Sequence, residues 1–190
     1  MALGWSKDEF EAVGASMAGR GRLADEFISV LKAIWTSDPV EFHGDIYNIP
    51  KSNILPKPVQ KPHPPIYLAA FSPGGLKRTA MMANGWLLAG TPLDALRQMI
   101  PGLKEMTREA GRDPAEVQVI LRANLEVTPE PLSGQRFNCT GSLEQIREDI
   151  AANRELGVDE LHFDPSFSPD GTSLDGFLKT MEQMKRLAET

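Results

Sequence analysis

One cysteine in 190 residues, Cys139, leaves no partner for an intramolecular disulfide. A disulfide scaffold and a cysteine-built zinc site are both excluded. Histidine is scarce too. His43, His63 and His162 are scattered along the chain, and no histidine-rich metal site is visible. No apolar run approaches the roughly 18 residues that cross a bilayer, and no signal-peptide pattern opens the chain. A cytoplasmic protein with no membrane contact is expected. Basic charge is in short supply as well: 20 Lys and Arg face 26 Asp and Glu, for a formal net charge of −6. With a pI near 5.1, the chain lacks the basic face of a nucleic-acid-binding domain. Low-complexity segments are absent.

What is present is ordinary for a soluble globular protein, with 41% hydrophobic and 24% charged residues. The length suits a single domain with a core of its own. We divide residues 1–190 into a helical lead-in (1–36), a hairpin and proline-rich insertion (37–65) and a regular remainder (66–190). Ser6 to Glu9 fits a capping box and starts a helix ending near Gly14. Leu23, Phe27, Val30, Leu31 and Ile34 recur at helical spacing and predict a helix from Arg22 to Trp35. Val40–Phe42 and Ile46–Ile49 flank His43-Gly44-Asp45 as a β-hairpin with an exposed His43 at its tip. Six prolines between Pro50 and Pro65 make an extended connector, since proline fixes φ and donates no hydrogen bond.

From Ile66 onward, strands alternate with helices. Strands are expected at Ile66–Ala70, Trp86–Ala89, Val117–Val127 and Leu161–Phe163. Helices are expected from Pro73 to Ala83, from Thr91-Pro92 to Ala110, from the capping box Ser142–Gln145 to Gly157, and from Thr172 or Ser173 to Leu187. Four successive βα units mean a parallel sheet with crossover helices. Periodicity alone leaves two architectures open: a doubly wound sheet and half of a (β/α)₈ barrel.

Ligands of parallel α/β folds collect at the carboxyl ends of strands. After the first strand, Ser72-Pro73-Gly74-Gly75 can cradle a phosphate on backbone N–H groups, with Lys77 and Arg78 one turn further on. Ser-Pro also suits a plain helix start. The loop from Thr128 to Thr140 is long enough to be functional, yet Cys139 has no neighbouring base and reads as structural. Asp164 just past the fourth strand fits a catalytic carboxylate and a turn cap equally. His162 reads as a packed core residue, and His63 serves the connector. Trp5, Trp35 and Trp86 read as packing residues, and Asp175, Glu182 and Glu189 as a solvated face of the last helix. No acid–base pair or triad follows from spacing.

The residues themselves say more. Gly4-Trp5-Ser6-Lys7-Asp8-Glu9-Phe10 through Gly14, then Arg20-Gly21-Arg22 with Asp25-Glu26, then Ala33–Thr36 and Val40–Gly44, follow one order. Pro56-Lys57-Pro58-Val59-Gln60 with Pro62–Ile66 is the most specific piece. Ser72-Pro73 and Gly85-Trp86 complete it. From Gly4 to Phe163 this series resembles the luciferase-like monooxygenases, particularly their coenzyme-F420-dependent branch. The resemblance implies an α/β fold built as a partial (β/α)₈ TIM barrel, with the four βα units as strands five through eight. It implies a flavin- or F420-dependent oxidoreductase or monooxygenase acting on a small organic substrate, with F420 or FMN as cofactor. The phosphate side carries over best, at Ser72, Gly74 and Gly75, with Arg20 and Arg22 as further cofactor or subunit contacts. Catalytic residues are not identified, and no metal is implied.

The chain also departs from the family. About four strands that usually precede this point are missing, the glycine-rich end of the fourth is reduced to Met1-Ala2-Leu3, and Asn84 stands where the family often has Asp. A half-barrel exposes sheet edges, so a homodimer or higher oligomer is expected. The alternative to an enzyme is a non-catalytic cofactor-binding or oligomerisation module derived from one.

Overall fold

A computed structural model of the chain describes residues 1–188. Its lead-in begins with α1 (Lys7–Ala12), where the Ser6 hydroxyl accepts from the Glu9 N–H at 3.4 Å. α2 (Arg20–Thr36) starts two residues earlier than the apolar pattern suggests and buries Ala24, Ile28 and Val30. The expected hairpin forms from β1 (Val40–His43) and β2 (Asn48–Ser52), paired antiparallel. Its tip is tied to α2 by one side chain. The Glu26 carboxylate accepts the N–H groups of Asp45, Ile46 and Tyr47 at 3.2, 2.8 and 2.6 Å. Those donors, Tyr47 foremost, hold the Glu26 carboxyl below its ordinary range. A Cβ at Gly44 would lie 2.2 Å from Glu26 Oε1, so only glycine lets the carboxylate in.

Beyond the proline connector run β3 (Tyr67–Leu68), α3 (Pro73–Met82), β4 (Gly85–Ala89), α4 (Leu93–Glu109), β5 (Gln118–Asn124), β6 (Glu126–Val127), β7 (Thr140–Gly141), α5 (Leu143–Glu155), β8 (Glu160–Asp164) and α6 (Leu174–Ala188). Strands β3, β4, β5 and β8 form one parallel sheet in that order. The result is an α/β fold whose parallel sheet is flanked by helices, consistent with a TIM-barrel-like fold.

Several boundaries differ from expectation for local reasons. The third strand does not run on to Val127. It is interrupted at Leu125, whose N–H still bonds the Asp164 carbonyl of β8, and Glu126–Val127 pairs instead with Thr140–Gly141 in a separate small sheet. Thr91 does not cap α4. Pro92 takes that position, and the Thr91 hydroxyl bonds the Ala89 carbonyl at 3.4 Å. Ser142 and Gln145 close a full capping box. Of the two candidates for α6, Ser173 accepts from Gly176 N–H at 3.1 Å. Asp175 and Glu182 are solvated as expected, while Glu189 lies outside the described residues.

Helices cover one face of the sheet. Trp86 and Leu88 of β4, with Val119 and Leu121 of β5, pack on Leu96, Ile100 and Leu103 of α4. The Trp86 indole is fully buried and donates to the Ala70 carbonyl at 2.8 Å, so its one polar atom is satisfied. Trp35 is half-buried against His63, with ring centroids 5.9 Å apart. Trp5 departs from the expected packing role. It precedes α1 and is 85% exposed. His162 is also corrected. Leu161 and Phe163 take the core side of β8, so strand alternation turns His162 outward, where it bonds Glu160 at 2.7 Å.

The loop between β6 and β7 is held by a buried ion pair. Asp149, 3% exposed on α5, receives both guanidinium arms of Arg136 and the Cys139 N–H at 2.8 Å. Arg136 also donates to the carbonyls of Thr140 and Gln145. Beside it, the amides of Asn138 and Asn153 bond each other at 3.1 and 3.0 Å. Removing Asp149 strands a guanidinium and a backbone donor in the interior. Asp149→Ala is expected to cost about 3–5 kcal/mol in urea denaturation. The exposed pair Arg108–Glu105 offers the contrast, and Glu105→Ala should change stability by less than about 0.5 kcal/mol.

Candidate functional site

In a parallel sheet every strand points its carboxyl end the same way, and each following helix points its N-terminus there too. The Ser72–Gly75 turn sits at this end of β3. Ser72 is the N-cap of α3, with its hydroxyl accepting from Gly75 N–H at 3.2 Å and its carbonyl from Leu76 N–H at 2.9 Å. Pro73 has no N–H to offer. Among the described residues, that leaves the Gly74 N–H as the donor of the first turn without an acceptor. Gly74 has nothing within 4 Å of a would-be Cβ, whereas a Cβ at Gly75 would meet Ala70 Cβ at 2.9 Å and Ser72 Oγ at 3.2 Å. The first glycine leaves the approach open, and the second lets the helix seat against β3.

A cavity of about 350 Å³ opens beside this turn, lined by Arg20, Ser72, Gly75 and Arg78, with Trp5 and Phe71 among its apolar walls. That volume is at the small end of ligand pockets. Its two arginines differ in availability. Arg78 forks onto Asp25 at 2.5 and 3.3 Å and donates to the Gly21 carbonyl at 2.9 Å, which docks α2 on α3. Arg20 makes only a long 3.5 Å contact with the Met17 carbonyl, so its guanidinium can take an anion. The structure thus brings Arg20, Ser72 and Gly75 to one cavity, with the free Gly74 N–H beside them. Arg22 lies apart, exposed next to Glu26, and does not line it.

Other candidates resolve into structural roles. Asn84 accepts Ile66 N–H at 3.0 Å through its side chain and returns its own N–H to the Ile66 carbonyl at 2.8 Å, clamping β3 to β4. His43 is exposed on the hairpin between Asn48 and Glu41, and those two partners, Asn48 foremost, raise its pKa. Among the described residues no group of three or more His, Cys, Asp or Glu could hold a metal ion, and no helix is long and apolar enough to cross a membrane.

The face of the sheet away from the helices was missed by sequence reasoning. Register pairs Ala89 with Arg122 and Arg122 with His162, and Asn124 with Asp164. Trp86, Leu88, Val119 and Leu121 face the helices, so Leu87, Ile120, Arg122, Asn124, His162 and Asp164 face the other way. At the carboxyl end of this face, Arg122 Nη1 pairs with Asp164 Oδ2 at 3.0 Å. Asp164 Oδ1 also accepts Ser166 N–H at 2.9 Å, so the turn-cap role is filled. Ser166 first, then Arg122, holds the Asp164 carboxyl below the usual carboxylate range. Alternation within Gln118–Asn124 was the signal that could have put Arg122 and Asn124 on this face.

Cys139 is fully buried, and desolvation pushes its thiol up to about 12. At pH 8 the folded chain is therefore expected to leave Cys139 unmodified by a thiol-exchange reagent, with one thiol released on denaturation. Rapid modification of the folded chain would contradict that burial.

Comparison with known proteins bears on this geometry. The family description "luciferase-like monooxygenase" matches residues 1–132. An uncharacterized protein of Mycobacterium tuberculosis is 37% identical over 117 residues, covering 61% of this chain and 39% of that protein. The FMNH(2)-dependent dimethylsulfone monooxygenase of Pseudomonas putida is 26% identical over an alignment of 241 residues, covering 97% of this chain and 66% of the enzyme. Among solved structures, the coenzyme-F420-dependent tetrahydromethanopterin reductase of Methanopyrus kandleri superposes with a TM-score of 0.73 at 16% identity, over 90% of this chain and 69% of that one. The chain spans about two-fifths to two-thirds of the length of these two curated relatives. With a family match over more than half its residues, the chain belongs to the luciferase-like monooxygenase family.

Proposed function

We propose that this chain is the cofactor-phosphate half of a flavin-type oxidoreductase, taking FMN or F420 and a small organic substrate at the carboxyl ends of its strands. The observation that carries the reading is the cavity at the end of β3. There an uncommitted arginine, a helix N-terminus with a free N–H and a serine hydroxyl converge. A phosphate monoester or diester needs this donor set, and the dipole of the ten-residue α3 favours its charge. Gly74 leaves room for phosphate oxygens to approach the backbone. Arg20, Ser72 and the Gly74 N–H would hold the phosphate. The ring system would supply hydride transfer or oxygenation when bound. The protein's own part is to anchor the phosphate, orient the ring and exclude water. The named relatives include one FMN-dependent and one F420-dependent enzyme, which supports the cofactor class and leaves both members of it open.

We also propose that a second copy covers the outer edge of β8 and the neighbouring α6. Leu174, Phe177, Leu178 and Met181 are exposed at helical spacing on α6, and among the described residues β8 pairs on one side only. An apolar stripe beside an unpaired strand edge suits a self-complementary interface.

Titration of the purified chain with FMN and with F420, followed by cofactor fluorescence, tests the reading. Saturable binding of one is expected, weakened about tenfold or more in Arg20→Ala and in Ser72→Ala. Ser142→Ala removes an equivalent cap from α5 and should leave binding unchanged, which separates phosphate contact from lost helix stability. Absence of binding to either compound would sink the enzyme reading and favour the non-catalytic module. Sedimentation should show a dimer or larger species that Leu178→Glu dissociates, and a stable monomer would refute the pairing.

A further inference from the structure

The carboxyl end of the sheet's open face carries a second polar cluster. Phe71 lies three residues beyond Leu68 as Ala89 lies three beyond Trp86, so both fall at the same end of the sheet, where Ala89 pairs with Arg122. Arg122 thus sits two strand spacings, about 10 Å, across from the Ser72 turn and at the same end of the sheet. Its guanidinium is held by Asp164 Oδ2 at 3.0 Å and reaches Asn124 Oδ1 at 3.4 Å. The Phe167 ring lies over it at 5.7 Å. One atom of this arrangement is out of place. Arg122 Nε is shielded from solvent yet has no acceptor. A shielded N–H with no partner is costly, and native folds keep few of them. Asn124 presents a further donor, since its Oδ1 is occupied by Arg122 and its Nδ2 bonds no other described residue. Gly90 keeps the space in front of that Nδ2 free of a side chain.

We propose that Arg122 Nε and Asn124 Nδ2 form a two-donor site for the carbonyl oxygen of a neutral organic substrate. The proposal rests on the oxidoreductase reading above and names the substrate class for it. Charge decides between a ketone or ester and an acid. The ionisable groups facing this site are Arg122, Asp164, His162 and Glu160. They are already paired, Arg122 with Asp164 and His162 with Glu160 at 2.7 Å. No net positive charge is left over to draw in a carboxylate, and a neutral His162 would leave Glu160 to repel one. A carbonyl oxygen requires only the two donors. Phe167 gives the site its entrance. It belongs to the loop after β8, is 65% exposed and can swing from the guanidinium without unpacking the core. Its ring then offers an apolar wall to the substrate's carbon skeleton.

The test follows the Arg122 Nε–Hε resonance of the isotope-labelled full chain, without FMN or F420, during addition of cyclohexanone or cyclohexanecarboxylate. A saturable shift with cyclohexanone is expected, at lower concentration than any shift with the carboxylate. Asn124→Ala leaves the Arg122–Asp164 pair in place and should raise the cyclohexanone dissociation constant about tenfold, near 1.4 kcal/mol. Arg122→Lys keeps the charge but removes Nε. In that variant, shifts of the Asn124 amide should be weakened at least as much. Absence of a saturable shift, tighter binding of the carboxylate, or unchanged affinity in Asn124→Ala would overturn the proposal. Because no cofactor is present, a failed cofactor titration leaves this result readable by itself, and a failed ketone titration leaves the phosphate site untouched.

Discussion

The β4–β5 ladder is the constraint on which the rest depends. Five consecutive residue pairs, Gly85–Gln118 to Ala89–Arg122, lock two parallel strands together. Parallel neighbours cannot be joined by a tight turn, so the chain must cross over through α4. That crossover dries one face, where Trp86, Leu88, Val119 and Leu121 meet Leu96, Ile100 and Leu103. At roughly 1.5–3 kcal/mol for each large side chain fully buried, this face supplies the main drive for folding. The same geometry gathers strand carboxyl ends and helix N-termini at one edge. The Ser72 turn and the Arg122–Asp164 pair are two products of that single alignment.

Polar interactions then hold what the apolar core does not reach. Each uses one side chain to gather polar groups from distant parts of the chain. Glu26 collects three N–H groups and fastens the hairpin. Asp149 collects Arg136 and the Cys139 N–H, fastening the loop between β6 and β7. Arg78 binds Asp25 and the Gly21 carbonyl, docking the lead-in on α3. Arg20 and the Gly74 N–H stand outside this pattern. They are donors at a cavity with little or nothing to donate to, which is the arrangement a ligand-binding edge requires and a purely structural edge does not.

Much of the architecture was legible because its signals are local. Ser142 and Gln145 announce the start of α5, Ser72-Pro73 that of α3, and the prolines from 56 to 65 exclude regular structure there, although Pro50, expected to open that connector, lies inside β2. What was hidden depends on neighbours distant in sequence. Leu125 looks like one more strand residue, and only the pairing of Glu126–Val127 with Thr140–Gly141, away from β8, divides β5 from β6. His162 sits in an apolar triplet, yet only the packing of Leu161 and Phe163 decides which way it faces. Trp5 follows an apolar pattern yet stays mostly exposed at the mouth of the cavity beside Ser72. At the candidate site, Ser72 and the glycines carry a recognisable turn, and Arg20 follows from family resemblance. The Arg122–Asp164 pair joins residues 42 positions apart through strand register, which no window of sequence displays.

The central claim is that a phosphate-bearing flavin-type cofactor is anchored at the first turn of α3. Amide hydrogen exchange with and without saturating FMN or F420 tests it most directly. Gly74 has no internal acceptor, so its N–H should exchange quickly in the free chain and slow markedly once a phosphate oxygen takes it. The equally free N–H of Leu93 at the start of α4 should not change. Protection of Leu93 with none at Gly74, or no protection at either under saturating cofactor, would contradict the account.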